Sequence, residues 1–77
     1  DTNFIISLDS IADVNAFANT IAHFKSEIDL SSGRYIVNAK SIMGIFSLDL
    51  TRPLTFNVHG KDELEEISSA IAPYLKK

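Results

Sequence analysis

Residues 38–50 read Asn-Ala-Lys-Ser-Ile-Met-Gly-Ile-Phe-Ser-Leu-Asp-Leu. A hydroxyl, Ser41, stands beside Lys40, and Ile42, Met43, Ile45 and Phe46 follow at once, broken only by Gly44. Such a run is either all core or a short helix with one face left out for a partner. Serine is a favoured helix N-cap, so Ser41 marks a helix starting at Ile42. Ile45 and Leu48 are then spaced to share the core side with Leu50, which leaves Met43 and Phe46 shallow.

The flanks of this run set its context. Before it, residues 34–39 form a β-rich stretch, and Ser32-Gly33 is a turn signal. Residues 25–31 alternate polar and apolar through Ile28 and Leu30, so the two stretches make a hairpin. Earlier still, Val14, Phe17, Ala18 and Ile21 fall at helical spacing with Asn15 and Asn19 opposite, predicting a helix over 11–23 that ends near His23. Ser10 and Asp13 fit the spacing of a capping box at its start, with Asp in the place of Glu. Residues 3–8 are a compact apolar strand.

After the short helix, Thr51-Arg52-Pro53 reads as a turn, because proline disfavours helix at the residue before it. Residues 54–59 alternate as a strand. Gly60-Lys61-Asp62 opens a last helix, whose first turns carry Asp62, Glu63, Glu65 and Glu66 against the positive end of the helix dipole. Its expected buried stripe is Leu64, Ile67, Ile71 and Leu75, with a kink or loosened final turn at Pro73.

The order is β-α-β-β-α-β-α. Two long amphipathic helices need a surface to cover, and one sheet supplies it. The expected fold is α+β: an open-faced β-sandwich, a four-stranded antiparallel sheet with two long helices and one short helix on one face, residues 1–77 forming a single domain. The last strand returns beside the first if each half is a split β-α-β unit. Ser7, Asp29, Thr55 and Asn57 suit a partly solvated opposite face.

A chain of 77 residues buries only about 60% of its unfolded surface, so its core is small. There is no cysteine, hence neither a disulfide nor a thiolate metal site. The net charge of −3 and a pI near 5.1 argue against direct nucleic-acid binding, which needs a basic footprint. The seven Lys and Arg are scattered, with only Lys76 and Lys77 adjacent. No apolar run approaches the roughly 20 residues of a membrane span. The polar opening Asp1-Thr2-Asn3 carries no signal-peptide pattern, and the missing initial Met suggests a trimmed chain. A cytoplasmic location is the default expectation.

Residues 39–48, Ala-Lys-Ser-Ile-Met-Gly-Ile-Phe-Ser-Leu, together with the element order, resemble the histidine-containing phosphocarrier (HPr) family of the bacterial sugar phosphotransferase system. In Gram-positive members a very similar run surrounds a regulatory serine. A weaker match is Phe17 followed by Phe24, Ser26, Glu27 and Ile28, which resembles the family's first helix running into its second strand. The resemblance implies that Ser41 corresponds to the serine modified by an ATP-dependent kinase. It also implies that Ile42, Met43 and Phe46, with Lys40 beside them, contribute to a protein-docking patch.

The family's other hallmark is a Gly-Leu-His-(Thr/Ala)-Arg-Pro-Ala run whose histidine carries the phosphoryl group. Anchored on Phe17, that histidine falls at Ser10, the arginine at Ala12 and the proline at Asp13, so the hallmark is degenerate. A phosphocarrier needs an imidazole nucleophile at a helix N-terminus and gains from a nearby arginine. A phosphoserine is a stable ester and would not pass its phosphoryl group onward. Asp9 and Asp13 add negative charge, and unit charges about 6 Å apart repel by roughly 1–3 kcal/mol near a surface.

Local readings stand beside these. Ser41 fits a simple N-cap as well as a modified residue. Ser10 with Asp13 reads as a helix cap. His23 suits a helix end, and His59 shares no spacing with another donor, so no metal and no cofactor is expected. The Asp62–Glu66 cluster reads as a solvated helix face. Lys25, Arg34 and Tyr35 are candidates for the edge of a phosphate site. No nucleophile–base–orienter set, glycine-rich phosphate loop or paired carboxylate in an apolar setting is visible, so no enzymatic activity is expected.

The expected function is an HPr-like regulatory protein without histidine relay. Its partners would be an HPr-kinase-like enzyme acting on Ser41 and a transcriptional regulator or metabolic enzyme docked through Ile42, Met43 and Phe46. A constitutive or vestigial interaction domain is the alternative, and a small-molecule-binding domain on the same sandwich is a third.

Overall fold

The structure is a computed structural model that describes residues 2–75. Asp1 and the Lys76–Lys77 pair lie outside the described residues. The element order is β1 (Thr2–Ile6), α1 (Ile11–Ile21), β2 (Glu27–Ser32), β3 (Tyr35–Asn38), α2 (Ile42–Phe46), β4 (Leu54–His59) and α3 (Leu64–Ala70), followed by a 3₁₀ turn over Ala72–Tyr74. The four strands form one antiparallel sheet in the order β1-β4-β2-β3. As expected, β4 returns beside β1, and it also pairs with β2.

Strand alternation explains which face the helices cover. Leu54, Phe56 and Val58 of β4, with Ile28 and Leu30 of β2, are buried, whereas Thr55, Asn57 and Asp29 between them are half-exposed. Val14, Phe17, Ala18 and Ile21 of α1 join Ile45 of α2 and Ile67 of α3 in the same cluster. At its centre Phe17 meets Phe56 edge-on at 5.8 Å, a geometry worth about 0.5–1.5 kcal/mol beyond the area buried. Every buried residue of the core is apolar, which suits a chain too small to offset the cost of buried polar groups.

The hairpin turn places Gly33 at φ 59°, where a two-residue turn of the II′ type takes glycine. β2 begins at Glu27 rather than at 25, because the Lys25 and Ser26 amides are taken by the Glu63 carboxylate instead of a strand partner. The α1 helix ends at Ile21, capped at Ala22, so His23 lies in the following turn and is exposed.

The last helix departs most from the sequence pattern. Gly60 takes φ 93° and the helix opens only at Leu64, so Asp62 and Glu63 precede it. It stops at Ala70, and Pro73, which has no amide hydrogen, sits in the 3₁₀ turn that follows. Leu75 leaves the expected buried stripe: it is 38% exposed and bridges Ile6 at the edge of β1. Tyr74 packs in its place, perpendicular to Phe17 at 5.5 Å, while its carbonyl accepts from the Ser7 amide at 2.8 Å.

Candidate functional site

Ser41 has extended φ and ψ, as an N-cap requires, and its Oγ accepts from the Gly44 amide at 3.1 Å. The Ile45 amide donates to the Ser41 carbonyl at 2.9 Å, closing the first turn of α2. Upstream, the Asn38 side chain accepts from the Lys40 amide at 2.9 Å and the Asn38 carbonyl from the Ser41 amide at 3.0 Å. This turn aims the half-buried Ser41 at the helix end. Gly44 suits this close approach, because a Cβ there would meet the Val37 Cβ at 3.1 Å and push on it by a few tenths of an ångström.

The short helix has the two faces its spacing predicts. Ile45 is fully buried and Leu48 nearly so, with Leu50 partly buried against the core. Met43 is 82% exposed, and Ile42 and Phe46 are exposed beside it. Lys40 behaves differently: it is half-buried, and its ammonium donates to the Phe24 carbonyl at 2.5 Å.

At the start of α1, Ser10 is the N-cap, and its Oγ accepts from the Asp13 amide at 3.1 Å. The Asp13 carboxylate accepts from the Asp9 amide at 3.2 Å, so the box closes one residue earlier than the usual reciprocal pair. Ala12 is exposed on the first turn. The fold then brings this helix start against the end of α2. Leu8, Asp9, Ser10, Ile11, Phe46, Leu50 and Thr51 line one open groove of about 500 Å³.

Ile11, Leu50 and Thr51 were not among the candidates that motifs singled out. Ile11 does sit three residues before Val14 and seven before Ala18, on the same helical stripe. In the first turn it overhangs the end of the core and stays 69% exposed. Asp49 shapes the segment after α2 by accepting from the Thr51 amide at 3.1 Å and from its hydroxyl. The Thr51 hydroxyl, then its amide, hold the Asp49 carboxyl below its ordinary value, with a smaller contribution from Arg52, whose Nε lies 3.5 Å away.

Glu63 is the other residue that sequence reading misplaced. Instead of a solvated helix face, its Oε1 accepts from the Ser26 Oγ at 2.8 Å, the Ser26 amide at 2.7 Å and the Lys25 amide at 2.8 Å. The Ser26 hydroxyl and amide, followed by the Lys25 amide and the nearby Lys40 ammonium, lower its pKa against a smaller opposing effect of desolvation.

The structure does not unite Lys25, Arg34 and Tyr35. Lys25 lies with His59 and Glu63, whereas Arg34 and Tyr35 lie at the hairpin turn with Ser47 and Arg52. His59 Nε2 is 2.6 Å from Asp29 Oδ2, across β4 and β2. Among the described residues, no group of three or more His, Asp or Glu is placed to hold a metal ion. No helix among them is long and apolar enough to cross a membrane.

The geometry joins a serine-capped short helix with a bare apolar face to the start of the first helix. Comparison with known proteins gives this arrangement a family. The PTS HPr component phosphorylation site family matches residues 13–77, a segment that contains Ser41 and begins after Ser10 and Ala12. No curated protein matches the chain. Among solved structures, HPr-C-His from Thermoanaerobacter tengcongensis is 27% identical with a TM-score of 0.81, covering 96% of this chain and 91% of its own. The phosphocarrier protein HPr from Bacillus anthracis str. Ames is 25% identical with a TM-score of 0.76, covering 97% and 96%. A Mycoplasma histidine-containing phosphocarrier protein, 18% identical, shares the fold at a TM-score of 0.68, covering 99% and 98%. This chain belongs to the HPr family of the phosphotransferase system.

Proposed function

We propose that this HPr-family chain is a cytoplasmic regulatory protein, not an enzyme, that does not relay phosphate through histidine. In this reading a kinase of the HPr-kinase type phosphorylates Ser41. The modified or unmodified α2 face, with Ile42, Met43 and Phe46 as contacts and Lys40 beside them, then docks onto a transcriptional regulator or metabolic enzyme.

The observation that carries the reading is the pairing of Ser41 with its helix. Its hydroxyl caps α2 from a half-buried position, beside a face on which Met43 is 82% exposed. A phosphate there would sit at the donor end of the turn, where the Met43 and Gly44 amides point, so modification need not unfold anything. The groove at α1 supports the other half of the reading. In this reading Ser10 takes the carrier position and offers a hydroxyl where an imidazole nucleophile is needed, with Asp9 and Asp13 beside it.

The test is incubation of the chain with an HPr kinase and ATP, followed by peptide mass spectrometry. The expected product carries one phosphate on Ser41. An unmodified Ser41 under conditions that phosphorylate an HPr control removes the input and favours a constitutive interaction domain.

A further inference from the structure

The groove between α1 and α2 has a floor, two walls and a lip of one charge. Leu8, only 1% exposed, forms its floor, and Ile11 at 69% and Phe46 at 42% exposure stand over it. Of the eight exposed large hydrophobics among the described residues, Ile11 and Phe46 line this groove, and Ile42 and Met43 lie on the same short helix as Phe46. Asp9 is the ionisable residue in the lining. Asp13 adds a second carboxylate, bound to the Asp9 amide. Of the nearby cations, Arg52 lies 3.5 Å from Asp49, which offsets its charge, and Lys40 donates to the Phe24 carbonyl.

We propose that this groove receives an apolar side chain from a partner protein's amphipathic segment that carries Lys or Arg beside it. The inference rests on the docking reading above and adds the partner's charge. A neutral apolar partner covering Ile11 and Phe46 would strip water from Asp9 and return nothing to it. An anionic partner would be repelled by Asp9 and Asp13 together. A cation at the lip removes both penalties while its neighbour fills the apolar slot, which is the pattern of an anchor side chain within a charged rim.

The experiment uses the full chain, isotope-labelled for amide NMR, and three synthetic amphipathic peptides. They share one Leu/Phe face and differ only in carrying Lys, Gln or Glu at the polar positions. The Lys peptide is expected to shift the Ile11, Phe46 and Leu50 amides, and to bind at least about tenfold more tightly than the Glu peptide at low salt. Asp9→Lys should lower the Lys-peptide affinity by roughly three- to tenfold. Because only the Asp9 backbone amide serves the α1 cap, that variant should keep its spectrum elsewhere.

A Gln or Glu peptide that binds the groove as tightly as the Lys peptide overturns the charge assignment and leaves docking intact. No shift at the groove with any peptide at millimolar concentration overturns both. Lys-peptide binding unaffected by Asp9→Lys, or by the milder Asp9→Asn if the first variant misfolds, overturns the assigned lip. Concentration-dependent shifts of the same amides in the free chain identify a second copy as the occupant, and also overturn it.

Discussion

The Ser41 hydroxyl lies 3.1 Å from the Gly44 amide, and Gly44 is itself pressed so close to Val37 that an added Cβ would sit 3.1 Å from the Val37 Cβ. The serine and the glycine therefore form one unit. The first satisfies an orphan donor of α2, and the second lets that helix approach β3.

Removing the cap alone should be measurable. Ser41→Ala is expected to lower stability by about 1 kcal/mol, whereas Ser41→Asp, also a good N-cap, should stay within about 0.5 kcal/mol of the parent. Urea midpoints of the two variants check this. Equal losses in both would mean that the hydroxyl contributes something a carboxylate cannot.

The two faces of α2 should separate stability from binding. Met43→Glu, at an exposed position, is expected to change stability by less than about 0.5 kcal/mol. Ile45→Ala, two residues on and fully buried, should cost about 2–5 kcal/mol, enough to unfold much of a domain whose total is of similar size. Thermal melts settle the comparison. A strongly destabilised Met43→Glu would turn the helix into a packing element and favour the constitutive reading.

An imidazole at position 10 should not be sufficient for relay. In Ser10→His the new side chain would stand between Asp9 and Asp13 with Ala12 in place of an arginine. Phosphoryl transfer to it from a phosphohistidine donor of the phosphotransferase system is expected to be at least about tenfold slower than to the triple variant Ser10→His, Ala12→Arg, Asp13→Pro. Detecting acid-labile phosphate on each variant tests this. Efficient relay by the parent chain would overturn the proposed loss of function.

Stability should depend on pH through Glu63. Hydrogen bonds from Ser26 and Lys25 hold its pKa below the ordinary value in the folded state. Its stabilisation is therefore full above the unfolded pKa of about 4.3 and is lost as pH falls through the lower folded value. Glu63→Gln keeps an acceptor but no charge, so it should be less stable than the parent at pH 7. The gap should narrow below about pH 4. Denaturation at both pH values measures it, and a gap independent of pH would show that the charge is immaterial.

Much of the architecture was legible because short-range rules specify it. The β4 bounds, the start of α1 behind Ser10 and the start of α2 behind Ser41 were read as they stand. Each depends on alternation or on a cap that reaches three residues. The loosened final turn expected at Pro73 is present as the 3₁₀ turn, but the burial expected of Leu75 was misread for a physical reason. The stripe Leu64, Ile67, Ile71, Leu75 has faultless helical spacing, yet the chain leaves the α-helix before it reaches Leu75. The aromatic contact of Tyr74 with Phe17 then decides which side chain turns inward.

Periodicity and capping chemistry, written into neighbouring residues, were enough to name the elements, the two serine caps and the outward Met43 and Phe46. They could not say that residues 8–11 wall one groove with Phe46, Leu50 and Thr51, or that Glu63 reaches Ser26 37 residues away. Nor could they say that Lys40 turns to Phe24. Local rules act over about one helical turn. Contacts such as these exist only after the sheet order β1-β4-β2-β3 has set the helices side by side, and packing then selects the neighbours.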